Sequence, residues 1–348
     1  MDIKIKEEYL KQAMELHRRY PVADAHLDLA GEILLRHQAG EKDVVKNHYL
    51  PHFKTAGINL IASSVYVENQ NLGNAWENAL AQIRALKEDI HGLEDVQPVL
   101  TRKDLEQAVE KGKTGILLYM EGLDPIGEDI DKLNELYELG VRGAALTWSR
   151  PNCLAVGCCK ATQRIQVPGK ITQAGQRAVK RLEELSMFLD VSHLNDEGYR
   201  QLFTIAERPF IATHSCSRQV FESYRNMTDE QMRALADQGG IMGVNGCKYI
   251  AGSLSGNHLE MLCSHIEYEV EKIGAEHVGF GFDLCDSYGR ARAALKGLPE
   301  DEREDCLLHH GQVPLVTAAL LQRGMKEEDV KHIIGVNFID FFHQSLNF

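Results

Sequence analysis

The sequence has no excess of basic residues: 38 lysines and arginines stand against 51 aspartates and glutamates, a formal charge of −13. Phosphate recognition depends on clustered Lys and Arg, so a nucleic-acid partner is excluded. No apolar run exceeds about ten residues, where a spanning helix needs roughly 20. The opening segment, MDIKIKEEYLKQAMELHRRYPVADAH, lacks the unbroken apolar stretch of a secretory signal and predicts an amphipathic helix over residues 4–20 running into a strand. The closing segment, FIDFFHQSLNF, is too short and too polar for a lipid-anchor signal. These absences lead to the expectation of a cytoplasmic protein without a membrane anchor. Low-complexity tracts and fixed-period repeats are absent too, and 44% hydrophobic with 26% charged residues is ordinary for a chain folded throughout. Eight cysteines without an export signal are expected to be reduced thiols. Cys153, Cys158 and Cys159 cluster, but an adjacent pair cannot clamp one ion without strain, so no cysteine metal site is expected there.

What is present is an alternation of short β-branched runs with amphipathic helical stretches, the pattern of βαβ units and a parallel sheet. Eight strands are predicted: PVADAHLD from Pro21, NLIASSVYV from Asn59, GILLYME from Gly115, GVRGAALTW from Gly140, SMFLDVSH from Ser186, RPFIATHS from Arg208, GGIMGVNG from Gly239 and EHVGFGFD from Glu276. Between them, Trp76, Leu80, Ile83, Leu86 and Ile90 fall at helical spacing, and Thr228 with Gln231 forms a capping box. Eight strand-helix units close most economically as a (β/α)8 TIM barrel, a single domain over residues 1–348, although a doubly wound open sheet has the same local pattern. Two connections, 149–171 after the fourth strand and 284–312 after the eighth, read as long irregular loops of the kind that cover an active site.

The ionisable residues separate the two folds. Five of the eight strands end in His, Asp or Glu embedded in apolar sequence, where a charge is costly unless paired or ligated. His26 and Asp28 lie two apart on one side of the first strand and can share one ion. Glu121, His193, His214 and Asp283 end the third, fifth, sixth and eighth. A barrel gathers such ends around one mouth, whereas an open sheet spreads them along an edge. Three histidines and three carboxylates exceed the needs of one zinc, and two ions sharing a bridging carboxylate fit the count better. Each residue alone also has a plainer reading, as a hydrogen-bonded strand-end histidine or a helix cap; the joint pattern carries the argument. Asp24, on the face of His26, is either a carboxylate that steadies a ligand or a buried structural acid.

The runs DAHLD, YMEG, LDVSHLND, RPFIATHS, RNMTDEQ and HVGFGFD, in this order and at this spacing, resemble the membrane dipeptidase (renal dipeptidase) family of amidohydrolase barrels, from about Pro21 to Gly335. The resemblance implies a zinc-dependent dipeptidase with two Zn2+ per chain: His26 and Asp28 on the first ion, His193 and His214 on the second, Glu121 between them. It makes Asp283 the proton shuttle beside a metal-bridged hydroxide. It makes Arg225 the grip on the substrate's terminal carboxylate and matches Tyr249 to a substrate-contacting tyrosine, in a segment one residue shorter here. Trp148 stands in the substrate site where better-known members carry a histidine, and Trp cannot accept a proton. Cys285 and Asp286 replace a family aspartate and glycine.

Related amidohydrolases, an N-acyl amino acid deacylase or a lactonase, would keep the same metal site; a metal-binding protein without catalysis is the third reading. A phosphotriesterase-type site would need a bridging lysine, which GVRGAALTW lacks. Imidazole and carboxylate ligands also accept Mn2+, Co2+ or Fe2+. The partner expected is a small dipeptide-like substrate, and a homodimer stays open.

Overall fold

The computed structural model describes residues 2–159, 166–299 and 303–347. Among the described residues, nine strands follow one another: β1 Val22–Leu27, β2 Ile58–Tyr66, β3 Val96–Pro98, β4 Thr114–Glu121, β5 Val141–Ala145, β6 Phe188–Asp190, β7 Ala212–Ser215, β8 Met242–Val244 and β9 Val278–Phe280. The eight expected strands are all there. The addition is β3, a three-residue parallel partner of β4. All pairings are parallel, in the order β1-β2-β4-β5-β6 for one sheet and β7-β8-β9 for the other. The larger sheet curls as a half-barrel without closing on itself, and the whole is TIM-barrel-like.

Two seams therefore separate the sheets. A parallel bridge between Asp190 and Ile211 joins β6 to the approach of β7. Across the other seam, the Asp283 N–H donates to His26 O at 3.4 Å, and the Asp24 carboxylate accepts from the Phe282 N–H at 2.9 Å. A side chain here does what a strand ladder does elsewhere. Gly281 sits where the sheets approach most closely: a Cβ there would lie 1.7 Å from Thr213 O.

The strands are apolar because both faces are covered; every residue of β1 and β4 is buried. Ala23, Leu60, Leu117, Phe188, Ile211 and Ile241 form an inner cluster with Phe338 and Phe342 of the last helix, Asn337–Ser345. A larger cluster packs the outer strand faces against the helices. The first helix is Glu7–Arg19, shorter than 4–20 because Lys6 and Tyr20 are extended. The connection 284–312 is not irregular throughout: Asp286–Lys296 is helical, started by Asp305, whose carboxylate accepts from the N–H groups of Cys285 and Asp286 at 3.0 and 2.8 Å. Part of 149–171 lies outside the described residues. Cys153, Cys158, Cys216, Cys247, Cys263, Cys285 and Cys306 are free thiols.

Two histidines are fixed as neutral rings by these contacts. His17 donates from Nδ1 to Ala56 O at 2.7 Å and accepts at Nε2 from Thr317 at 2.8 Å. His265 accepts from the Ser217 N–H and donates to Ala251 O. Burial lowers each from 6.5 to about 4. Between those pH values the unfolded chain binds more protons, so their contribution is complete above pH 6.5 and lost as pH falls toward 4, on the order of 3 kcal/mol per histidine. Urea unfolding of chelator-treated protein over that range should show the loss, and His17→Gln should flatten the curve. An unchanged slope in the variant would remove His17 from the account.

Candidate metal centre

The strand ends converge as their positions require. Glu121 ends β4, His214 lies in β7, and His26 lies in β1; Asp28, His193 and Asp283 follow β1, β6 and β9 directly. One group of ligand atoms is formed by His26, Glu121 and His214, and a second by His26, Asp28 and Asp283. His26 Nε2 lies 3.8 Å from Asp28, 3.9 Å from Glu121 and 3.3 Å from Asp283. Glu121 Oε1 lies 2.9 Å from His193 Nε2 and 3.2 Å from His214 Nε2, and the two imidazole nitrogens are 3.0 Å apart.

Divalent cations fit this arrangement. His26 Nε2 is buried and has no hydrogen-bond partner among the described residues. Glu121 Oε1 and two imidazole nitrogens press lone-pair atoms together in a buried site, crowding that a cation relieves. Their protonation is distorted accordingly. Burial would lower His26, yet Glu121 and Asp283 push it up to about 10. Burial, with Asp28 and Asp283 nearby, raises Glu121 well above the carboxylate range. Burial and neighbouring positive charge hold His193 and His214 far below the ordinary imidazole value, so both are neutral rings, the form that ligates. The two groups share His26, and Glu121 Oε1 reaches His193 as well as His214, so the five expected ligands and Asp283 lie within one contiguous cluster.

Other side chains aim the ligands. His26 Nδ1 meets the Tyr119 hydroxyl, His193 Nδ1 meets Ser149 Oγ at 2.9 Å, and His214 Nδ1 meets Thr213 Oγ1 at 2.7 Å. Ser64 donates to Asp28. Asp283 is held on both oxygens, by Asn245 Nδ2 at 3.0 Å and by the Cys285 thiol at 3.0 Å. Burial opposes its ionisation, but His26 outweighs that and holds Asp283 below its usual range. Asp24 is fully buried and accepts from the His26 N–H at 3.2 Å and from His310 at 2.9 Å, which ties the 303–312 segment to β1.

Above the centre opens a cavity of about 890 Å³, lined by Trp148, Tyr66, Tyr249 and Arg225 together with Asp28, Glu121, His193 and Asp283. Trp148 lies with its ring 4.9 Å from Tyr66 and 5.9 Å from His193, an aromatic wall beside the metal ligands. Arg225 is buried: Nη1 donates to Ser192 O at 2.6 Å and Ser215 Oγ at 3.0 Å, and Nη2 to His214 O at 2.8 Å. A two-pronged grip on a carboxylate is thus not preformed, and Nε is the donor without a partner among the described residues. Tyr249 sits half-buried on the short helix Lys248–Ala251 at the rim. Asn245, Tyr119, Thr213 and Ser149 escaped sequence reasoning; only Tyr119 left a signal, two residues before Glu121 and so on its face of β4.

A parallel, TIM-barrel-like α/β fold thus gathers imidazoles and carboxylates from both sheets at one mouth, a donor set suited to divalent cations. The family model for membrane dipeptidases (Peptidase family M19) matches residues 10–346, and the chain belongs to that family. Dipeptidase 3 of Macaca fascicularis is 24% identical over 351 residues, covering 96% of this chain and 67% of that protein. Dipeptidase verJ of Clonostachys rogersoniana is 26% identical over 239 residues, 69% of this chain and 57% of that protein. The chain thus spans just over half to two thirds of the length of these relatives. Among solved structures, a metallo peptidase from Rhodobacter sphaeroides liganded with a phosphinate mimic of the dipeptide L-Ala-D-Ala superposes with a TM-score of 0.81 at 23% identity, covering 94% of this chain and 99% of that one. The probable dipeptidase PvdM from Pseudomonas aeruginosa superposes at 0.79 with 20% identity, over 97% and 98%. No helix among the described residues is long and apolar enough to cross a membrane.

Proposed function

We propose that this chain is a dipeptidase dependent on two divalent metal ions, zinc foremost, that hydrolyses the amide bond of small dipeptides. The observation that carries the reading is the convergence of His26, Asp28, Glu121, His193 and His214 on one buried point with Asp283 at its edge. When bound, two such ions bring the pKa of water toward neutrality and polarise a carbonyl oxygen. Asp283, fixed by Asn245 and Cys285, takes the proton of the attacking water and returns it to the leaving amine. Arg225, through Nε, receives the substrate's terminal carboxylate. Trp148 and Tyr66 shape the wall against which the amino-terminal residue packs. Trp148 has no proton to give beyond its indole N–H and cannot accept one, so general acid-base work falls to Asp283.

A hydrolysis screen of zinc-loaded protein against L,L and L,D dipeptides, N-acyl amino acids and lactones tests the reading; turnover of acyl amino acids or lactones alone would overturn it. Arg225→Ala is expected to cost free dipeptides about 10²-fold in kcat/KM, the worth of a charge-assisted contact, and carboxyl-amidated ones far less. Equal losses for both would remove the clamp. Free thiols such as Cys216, Cys263 and Cys306 support a reducing, cytoplasmic location as part of the same proposal.

A further inference from the structure

Asp190 touches no substrate-facing surface and none of the metal ligands' ring atoms, yet two of the three histidines lead back to it. It ends β6, is 2% exposed, and lies at the seam between the sheets. Its Oδ1 accepts from the Ser192 N–H at 3.0 Å, the Ser192 hydroxyl at 2.7 Å and the Thr213 N–H at 2.9 Å. Its Oδ2 accepts from the Thr213 hydroxyl at 2.9 Å. Thr213 Oγ1 in turn faces His214 Nδ1 at 2.7 Å and the Tyr119 hydroxyl at 3.2 Å, and Tyr119 faces His26 Nδ1. Tyr119 and Thr213 are fully buried.

The carboxylate gives this network a direction. A carboxylate only accepts, so the Thr213 proton is committed to Asp190 and its oxygen must accept from His214 and Tyr119. With Thr213 Oγ1 open to accept, Tyr119 donates to it in the proposed arrangement and accepts from His26 Nδ1. In that arrangement both imidazoles carry a proton on Nδ1, which leaves Nε2 of His214, 3.2 Å from Glu121, and Nε2 of His26, among Asp283, Asp28 and Glu121, free to face a cation. Resting on the two-metal reading above, we propose that Asp190 is the positioning residue that sets the direction of this network and so the tautomers of His26 and His214. One buried carboxylate thereby serves ligands on both sheets and both ions.

An amide in its place can donate where Asp190 accepts. In Asp190→Asn, Nδ2 would hand a proton to Thr213 Oγ1, releasing the Thr213 hydrogen toward His214 Nδ1 and moving the ring proton to Nε2. Loss of such an outer partner typically lowers metal affinity roughly 10–100-fold. Zinc affinity by chelator competition should fall by that factor in Asp190→Asn and in Thr213→Val, and return with Thr213→Ser, which restores the hydroxyl. Imidazole ¹⁵N shifts of the metal-free full chain should place the His214 proton on Nδ1 in wild type and on Nε2 in Asp190→Asn. Wild-type zinc affinity in Asp190→Asn, an unmoved His214 proton, or Thr213→Ser as weak as Thr213→Val would each overturn the inference. Wild type that binds no zinc would instead overturn the metal reading, while the ¹⁵N measurement would still judge the network.

Discussion

Glu121→Gln is expected to reduce bound zinc from two equivalents per chain to one or none and to lower kcat/KM by about 10²–10³-fold, the equivalent of several kcal/mol of lost electrostatic stabilisation. The reason lies in the position of its carboxylate. Oε1 is within 3.2 Å of both His193 and His214, and Glu121 forms one ligand group with His26 and His214. An amide of the same shape keeps the packing of β4 but loses the negative charge that, in the proposed two-metal site, both ions would share. Its nitrogen would also point a proton at nitrogens that must present lone pairs. Metal content by mass spectrometry, beside the unfolding temperature of the chelated protein, separates loss of ligation from loss of fold. Two tightly held ions in Glu121→Gln would sink the bridging role.

Asp283→Asn should behave differently. Rate should fall by about 10²–10⁴-fold, the usual worth of a positioned acid-base group, with KM close to wild type and two ions retained. Asn245 and Cys285 hold the carboxylate from outside, so the amide remains in place and only the capacity to take a proton disappears. If zinc is lost in parallel with activity, Asp283 is a ligand first and a shuttle second; its 3.3 Å approach to His26 Nε2 makes that outcome measurable.

Much of this could be read from the chain. Each of the eight strands announces itself as an apolar run because both its faces are covered, and the ligands stand out because they interrupt those runs at their ends. What could not be read has physical reasons as well. β3 is too short for periodicity, and its partner β4 defines it. The helix Asp286–Lys296 depends on Asp305, a cap that follows its helix in sequence. Asp190, Thr213 and Asn245 are ordinary polar residues locally; their roles exist only once β6, β7, β8 and β9 lie side by side. Arg225 was legible as a candidate, but not its capture by the carbonyls of Ser192 and His214.

The two seams give the metals a second office. His26, Asp28 and Glu121 belong to the β1–β6 sheet, whereas His214 and Asp283 belong to β7–β9. Cations gripped from both sides would rivet two half-shells that share few ladder bonds of their own. At a free metal concentration a thousand times Kd, a single site adds about 4 kcal/mol to the folded state, a large part of what a domain has in total. The catalytic ions would thus also be the keystones of the barrel, and metal scarcity would be felt as slackness along the seams as well as lost turnover.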